Sequence, residues 1–213
     1  MPADPSQLTD VDTLIELHRD EWQASTAGAA FIAGARDGSL PQEAFQRWLV
    51  QDRHFIDSLY DAQSRIIPLA TGEARRVMLN GVVALQDELD WLADHAQRLD
   101  LDLSVEPVED CRAFIDYLHT LTFAPPGVAL TAIWTVERSY LDAWSAARPG
   151  AAPYREFIEH WSNEGFQAYV TGLRDAANEV LEAASPADRA AAERAFRRVM
   201  AFERRFWAMT SGE

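Results

Sequence analysis

Pro41-Gln42-Glu43-Ala44-Phe45-Gln46-Arg47-Trp48-Leu49-Val50-Gln51-Asp52-Arg53-His54-Phe55-Ile56-Asp57-Ser58-Leu59 spaces its large apolar residues in threes and single steps. Phe45, Trp48, Leu49, Phe55, Ile56 and Leu59 therefore share one face of a helix, whereas a strand would alternate apolar and polar residues. Gly38-Ser39-Leu40 precedes this run, and Pro41 suits a helix start because its missing N–H would be unpaired there in any case. The same period continues outward in both directions. A first helical region ends at Gly38, and the quoted helix is predicted over about 41–69. Thr71-Gly72 opens another over about 73–99. A short helix near 108–121 follows Pro107. Pro125-Pro126-Gly127 introduces a helix to about 147, and Pro149-Gly150 and Pro153 break it. The next helical region runs to about 183, with a disturbance predicted at Ser162-Asn163-Glu164-Gly165. Ser185-Pro186 starts a last helix ending near Met209. With no strand signal or internal repeat, the expectation is one all-α domain over 1–213.

Composition fits a packed protein: 48% hydrophobic and 25% charged residues in 213. A chain of this length buries about 70% of its extended surface, enough for a core without staples. Cys111 is the one cysteine, so neither an intrachain disulfide nor a thiolate-rich zinc site can form. Acids outnumber bases 34 to 19, the net charge is −15, and every base is an arginine. A phosphate backbone or anionic bilayer would be repelled, so nucleic acid and membrane are not expected partners. Tyr117 to Val136 carries no formal charge, but its His119 and Pro125-Pro126 argue against a membrane span. Met1-Pro2-Ala3-Asp4 lacks the features of a secretory signal, and a cytoplasmic location is expected.

Three apolar stripes each contain an acid. Asp52 sits among Trp48, Leu49, Phe55 and Ile56. Glu137 lies among Ile133, Trp134, Tyr140 and Leu141, and Glu203 among Val199, Met200, Phe206 and Trp207. A carboxylate on a buried face is costly unless it is paired or hydrogen-bonded. One such acid reads as a structural ion pair. Three, each flanked by aromatics, predict a polar pocket walled by Trp, Phe and Tyr. That pocket suits a flat, amino- or amidine-bearing small molecule, stacked on rings and donating to a carboxylate. Glu88, His95, Glu137, His160 and Glu164 could alternatively be metal ligands, with Gln167 where a further histidine would be wanted. The sequence lacks the Glu-x-x-His spacing of helical di-iron sites. Cys111 reads as a small core residue.

Two motifs resemble the TenA (thiaminase II) family. Gly38-Ser39-Leu40-Pro41-Gln42-Glu43-Ala44-Phe45 with Trp48-Leu49-Val50-Gln51-Asp52 is similar to its entry motif. Phe202-Glu203-Arg204-Arg205-Phe206-Trp207-Ala208-Met209 is similar to its closing motif. Phe157-Ile158-Glu159-His160-Trp161-Ser162-Asn163-Glu164-Gly165-Phe166 resembles the stretch between them. The resemblance implies a haem-oxygenase-like helical fold, a homo-oligomer (dimer or tetramer) and an internal aminopyrimidine pocket, with no cofactor and no metal. It places Asp52 at the pyrimidine's amino edge and Glu203 as the catalytic glutamate. Glu137 becomes the second catalytic carboxylate, and Phe55, Phe114, Trp134 and Trp161 line the ring's site. The family's nucleophilic cysteine falls on Ala132 and its partner tyrosine on Val136. The sequence thus resembles the cysteine-lacking branch, associated with salvage of thiamin breakdown products.

The implied reaction is hydrolysis of an aminopyrimidine or N-formyl aminopyrimidine by carboxylate-activated water, since thiamin cleavage needs a nucleophile. A binding protein that kept the pocket is one alternative. A di-iron oxidase of the same fold, using the ligands named above, is the other.

Overall fold

The computed structural model describes residues 8–209, which fold as α-helices joined by turns, with no strand among them. The N-terminal region forms three short helices rather than one, α1 (Asp12–Leu17), α2 (Arg19–Ser25) and α3 (Ala30–Asp37). The backbone leaves helical geometry at His18 and again at Thr26, where the chain turns. Gly38 ends α3 in the left-handed region at φ 87°, which a side chain would strain.

The quoted stretch forms α4 (Gln42–Ile66), which tightens into a single 3-10 turn at Ile67–Leu69. Pro41 holds φ −64° and ψ 136° just ahead of it, the extended entry that proline favours. Next come α5 (Gly72–Arg98), α6 (Glu109–Thr120) with a 3-10 turn at Leu121–Phe123, and α7 (Pro126–Ala146). The disturbance predicted near 162–165 is a full break between α8 (Arg155–His160) and α9 (Glu164–Glu182). Asn163 causes it: its side chain accepts the Phe166 N–H at 2.9 Å, capping a new helix. In α10 (Pro186–Ala208), Ser185 accepts the Asp188 N–H in the same way.

The centre of the fold is α7, with 15 of its 21 residues buried. A helix apolar on all sides has to be enclosed, and α9 and α10 cover it. The core beside it is aromatic. Trp48 of α4 stacks on Trp207 of α10 with centroids 5.4 Å apart, and meets Trp144 of α7 edge-on at 5.7 Å. Phe31 of α3 packs on Trp48 at 5.0 Å. These offset and edge-on contacts are the arrangements ring quadrupoles favour.

Candidate functional site

Beyond that core α4, α5, α7 and α9 separate and leave a cavity of about 460 Å³. Helix α4 contributes Asp52, Phe55, Ile56 and Leu59, and α7 contributes Val136, Glu137 and Tyr140. From α5 come Glu88 and Trp91, from the end of α8 His160, from the break Trp161, and from the first turn of α9 Phe166. Gly81 and Tyr169 complete the wall. A Cβ on Gly81 would lie 2.3 Å from both Gln63 Nε2 and Tyr169 Oη. Only glycine leaves room for those two groups, whose hydrogen bond runs from Tyr169 Oη to Gln63 Oε1 at 3.0 Å. Exposed Ala84, Asp87, Asn163 and Gly165 mark the mouth, between α5 and the start of α9.

Asp52 lies within reach of the charge of Glu137 inside this wall. Tyr140 Oη donates to Asp52 Oδ2 at 3.0 Å, while Asp52 Oδ1 has no protein partner. Glu137 Oε1 is likewise buried without a partner. Desolvation pushes the Asp52 carboxyl well above its ordinary value, with the charges of Glu88 and Glu137 adding to the rise. Tyr140's hydrogen bond opposes it. Burial, and then the charge of Glu88, lift Glu137 to about 8. A carboxyl so raised can hold a proton near neutral pH and give it up.

Glu88 is held by both oxygens. Trp161 Nε1 donates to Oε1 at 2.8 Å, and Oε2 is 2.6 Å from His160 Nε2. His160 lies flat on Trp91, with centroids 3.9 Å apart and planes at 4°. Carboxylates supply four of the lining side chains, Asp52, Asp87, Glu88 and Glu137, and no arginine lines the wall. The chamber is therefore electrostatically suited to a neutral or cationic ligand and not to an anion.

Of the residues expected from sequence, Asp52, Glu137, Phe55 and Trp161 come together here. Three do not line the cavity. Glu203 is buried one layer out, where burial and the charges of Asp52 and Glu137 push its carboxyl well up. Ser139's hydrogen bond opposes that shift, and Glu203 Oε2 has no partner. Phe114 packs behind the wall, 4.6 Å from Phe55 and 5.0 Å from Phe202. Trp134 lies on another face of α7, with Arg138, Leu141 and Ser145 along a separate shallow cleft, its ring 6.4 Å from Phe196. Because α7 is buried all round, its apolar pattern does not say which side meets the cavity.

The alternative metal set does not assemble. His95 turns away to Glu156 at 3.2 Å, Glu164 is exposed, and Gln167 donates to the Ser162 carbonyl. Among the described residues no three His, Cys, Asp or Glu side chains lie close enough to hold an ion. Tyr140, Tyr169 and Trp91 were missed as site residues. Tyr140 follows Glu137 by three positions and Trp91 follows Glu88 by three, so helical spacing from each acid was the available signal.

The family model described as TENA/THI-4/PQQC matches residues 18–213. A soybean (Glycine max) relative described as a probable bifunctional TENA-E protein is 28% identical, covering 99% of this chain and 96% of its own length. A TenA homologue from Pyrococcus furiosus superposes with a TM-score of 0.88 at 24% identity, covering 93% of this chain and 98% of that one. A TenA family transcription regulator from a Silicibacter species gives 0.87 at 17% identity, covering 99% of each chain. At such identities the two structures speak for the fold alone. No helix among the described residues is long and apolar enough to cross a membrane.

Proposed function

The chain belongs to the TENA/THI-4/PQQC family, and on that premise we propose that it is a hydrolase of thiamin salvage acting on an aminopyrimidine or its N-formyl derivative. One observation carries the reading. Two buried carboxyl groups on the wall of an aromatic cavity, Asp52 and Glu137, each keep an oxygen that no protein group satisfies. A ligand that donates hydrogen bonds from a flat ring would satisfy them.

In this reading the ring sits among Phe55, Trp161 and Phe166, and Asp52 accepts from its amino edge. Water is the nucleophile, because Ala132 stands where the family's cysteine belongs and Cys111 is buried elsewhere. Glu137 lines the cavity and hands a proton to the leaving nitrogen. Glu203 stands one layer out, where the charges of Asp52 and Glu137 reach it, and takes no direct part. Thiamin itself is not cleaved. Assembly as a dimer or tetramer in the cytoplasm belongs to the same reading, and sedimentation of the purified protein tests the assembly.

The deciding experiment incubates the protein with the aminomethylpyrimidine and with its N-formyl derivative, following ammonia and formate release. Release from either, abolished in Asp52→Asn with Glu137→Gln, is the expected result. Tight ligand binding without turnover would instead make this a binding protein that retained the pocket.

A further inference from the structure

The hydrolytic reading leaves open which group takes the proton from the attacking water. Glu137 is ill suited, because burial keeps it mostly in its protonated form at pH 7. Glu203 does not reach the cavity wall. Asp52 is pushed up by burial in the same way, and in the reading above its free oxygen holds the ring's amino edge. The remaining candidate lies where α5 and the end of α8 line the chamber.

There Glu88 and His160 form a carboxylate–imidazole pair, Oε2 to Nε2 at 2.6 Å. Trp161 fixes the second carboxylate oxygen at 2.8 Å. A carboxylate that accepts from one ring nitrogen selects the tautomer in which the other nitrogen carries a lone pair. Here that other nitrogen is Nδ1, and among the described residues the ring's hydrogen bond is the one from Nε2 to Glu88. The ring cannot easily swing, since it is stacked on Trp91 at 3.9 Å and 4°. His160 also lines the cavity while its side chain stays 31% exposed, so solvent reaches it there.

We propose that His160, oriented by Glu88, is the general base of this site, with Glu137 as the general acid. The inference rests on the hydrolytic reading above. His160 Nδ1 takes one proton from water as the water oxygen bonds to the electrophilic carbon. The carbon–nitrogen bond breaks, and the leaving nitrogen takes its proton from the Glu137 carboxyl. The resulting imidazolium is paired with the Glu88 carboxylate. It then loses its proton to solvent and Glu137 regains one, so the cycle consumes one water and no other reactant. His160 and Glu137 are thereby catalytic residues, and Glu88 is a positioning residue that works through the ring.

The test compares wild type with His160→Ala and Glu88→Gln on whichever pyrimidine the wild type hydrolyses. His160→Ala is expected to lower kcat by about 10²–10⁴-fold with little change in KM. Imidazole added to the buffer is expected to restore at least part of that loss. Glu88→Gln is expected to lower kcat less, and imidazole should not rescue it because its own ring is still in place. A His160→Ala enzyme with wild-type kcat would overturn the proposal. So would a loss that imidazole does not restore while circular dichroism shows the fold intact, which would leave His160 as a wall residue only. If the wild type turns over neither pyrimidine, the hydrolytic reading fails first and this inference falls with it.

Discussion

Helices α4 and α7 run past each other through two unlike regions. At one end Trp48 meets Trp144 edge-on at 5.7 Å, and Trp207 and Phe31 pack on Trp48 at 5.4 and 5.0 Å. One turn further along α4, Asp52 meets Tyr140 instead, and the helices part around a cavity. The first region is filled with rings and carries no charge. The second buries Asp52 and Glu137 on its wall and Glu203 behind it, each with an oxygen left unpaired. The stripe pattern is the same in both, so periodicity alone could build either. What differs is the content: dense packing stabilises the first, while desolvated carboxyls cost stability in the second. A site that needs a mobile proton keeps that cost because filling the space would remove its chemistry.

The contrast breaks most sharply at Glu137. Glu137→Gln keeps the shape and removes the proton carrier. Turnover on the true substrate should fall by about 10²–10⁴-fold with the fold retained. Steady-state kinetics and circular dichroism check the two halves. A variant that kept full activity but unfolded would move Glu137 to the structural side of the comparison.

Trp48→Ala attacks the other region. Removing a fully buried indole should cost about 3–5 kcal/mol of stability, read from a denaturant titration. Any activity that survives below the new midpoint should keep its KM, because Trp48 does not line the cavity.

A smaller effect separates the regions by pH. Unfolded, Glu137 would titrate near 4.5; in the native protein it titrates at about 8. Across that window the native state holds a proton that the unfolded chain has released. Stability from this group is therefore present at low pH and lost as pH rises, by about 1.4 kcal/mol per pH unit inside the window. Asp52 and Glu203 are shifted the same way. The melting temperature should fall from pH 5 to pH 9, and Glu137→Gln should flatten that fall. An unchanged slope in the variant would show that Glu137 is ionised in the native protein.

The fold was legible because its signals are local. Pro41, Thr71-Gly72, Pro125-Pro126 and Ser185-Pro186 each mark a helix start within a residue or two. The site was half legible. An acid inside an apolar stripe announces itself, which brought out Asp52 and Glu137. Which side of a wholly buried helix faces a cavity is set by its neighbours, so the stripe alone does not tell that Tyr140 lines the cavity and Trp134 a separate cleft. Glu88 and His160 sit 72 positions apart on different helices, so no spacing rule predicts their contact. Glu203 shows the limit of the stripe argument: the acid is buried as expected, but in the layer behind the cavity wall.

Cys111 offers the smallest effect and a sharp negative. Its Sγ is buried and donates to the Gln51 carbonyl at 3.4 Å. Burial, and then the charge of Asp52, push the thiol up to about 12. A thiol that far from ionising supplies almost no thiolate near neutral pH, and the thiolate is the nucleophile. It is also absent from the cavity wall. Cys111→Ser should leave turnover unchanged and shift stability by only about 1 kcal/mol, the scale of one exchanged hydrogen bond. Iodoacetamide should label native Cys111 far more slowly than the same residue in denaturant, with no loss of activity on the labelling timescale. Rapid labelling that abolished turnover would mean that the chain around Gln51 opens readily and that a sulfur nucleophile takes part after all. The water-based reading, and the division of labour between His160 and Glu137, would then have to be replaced by a covalent one.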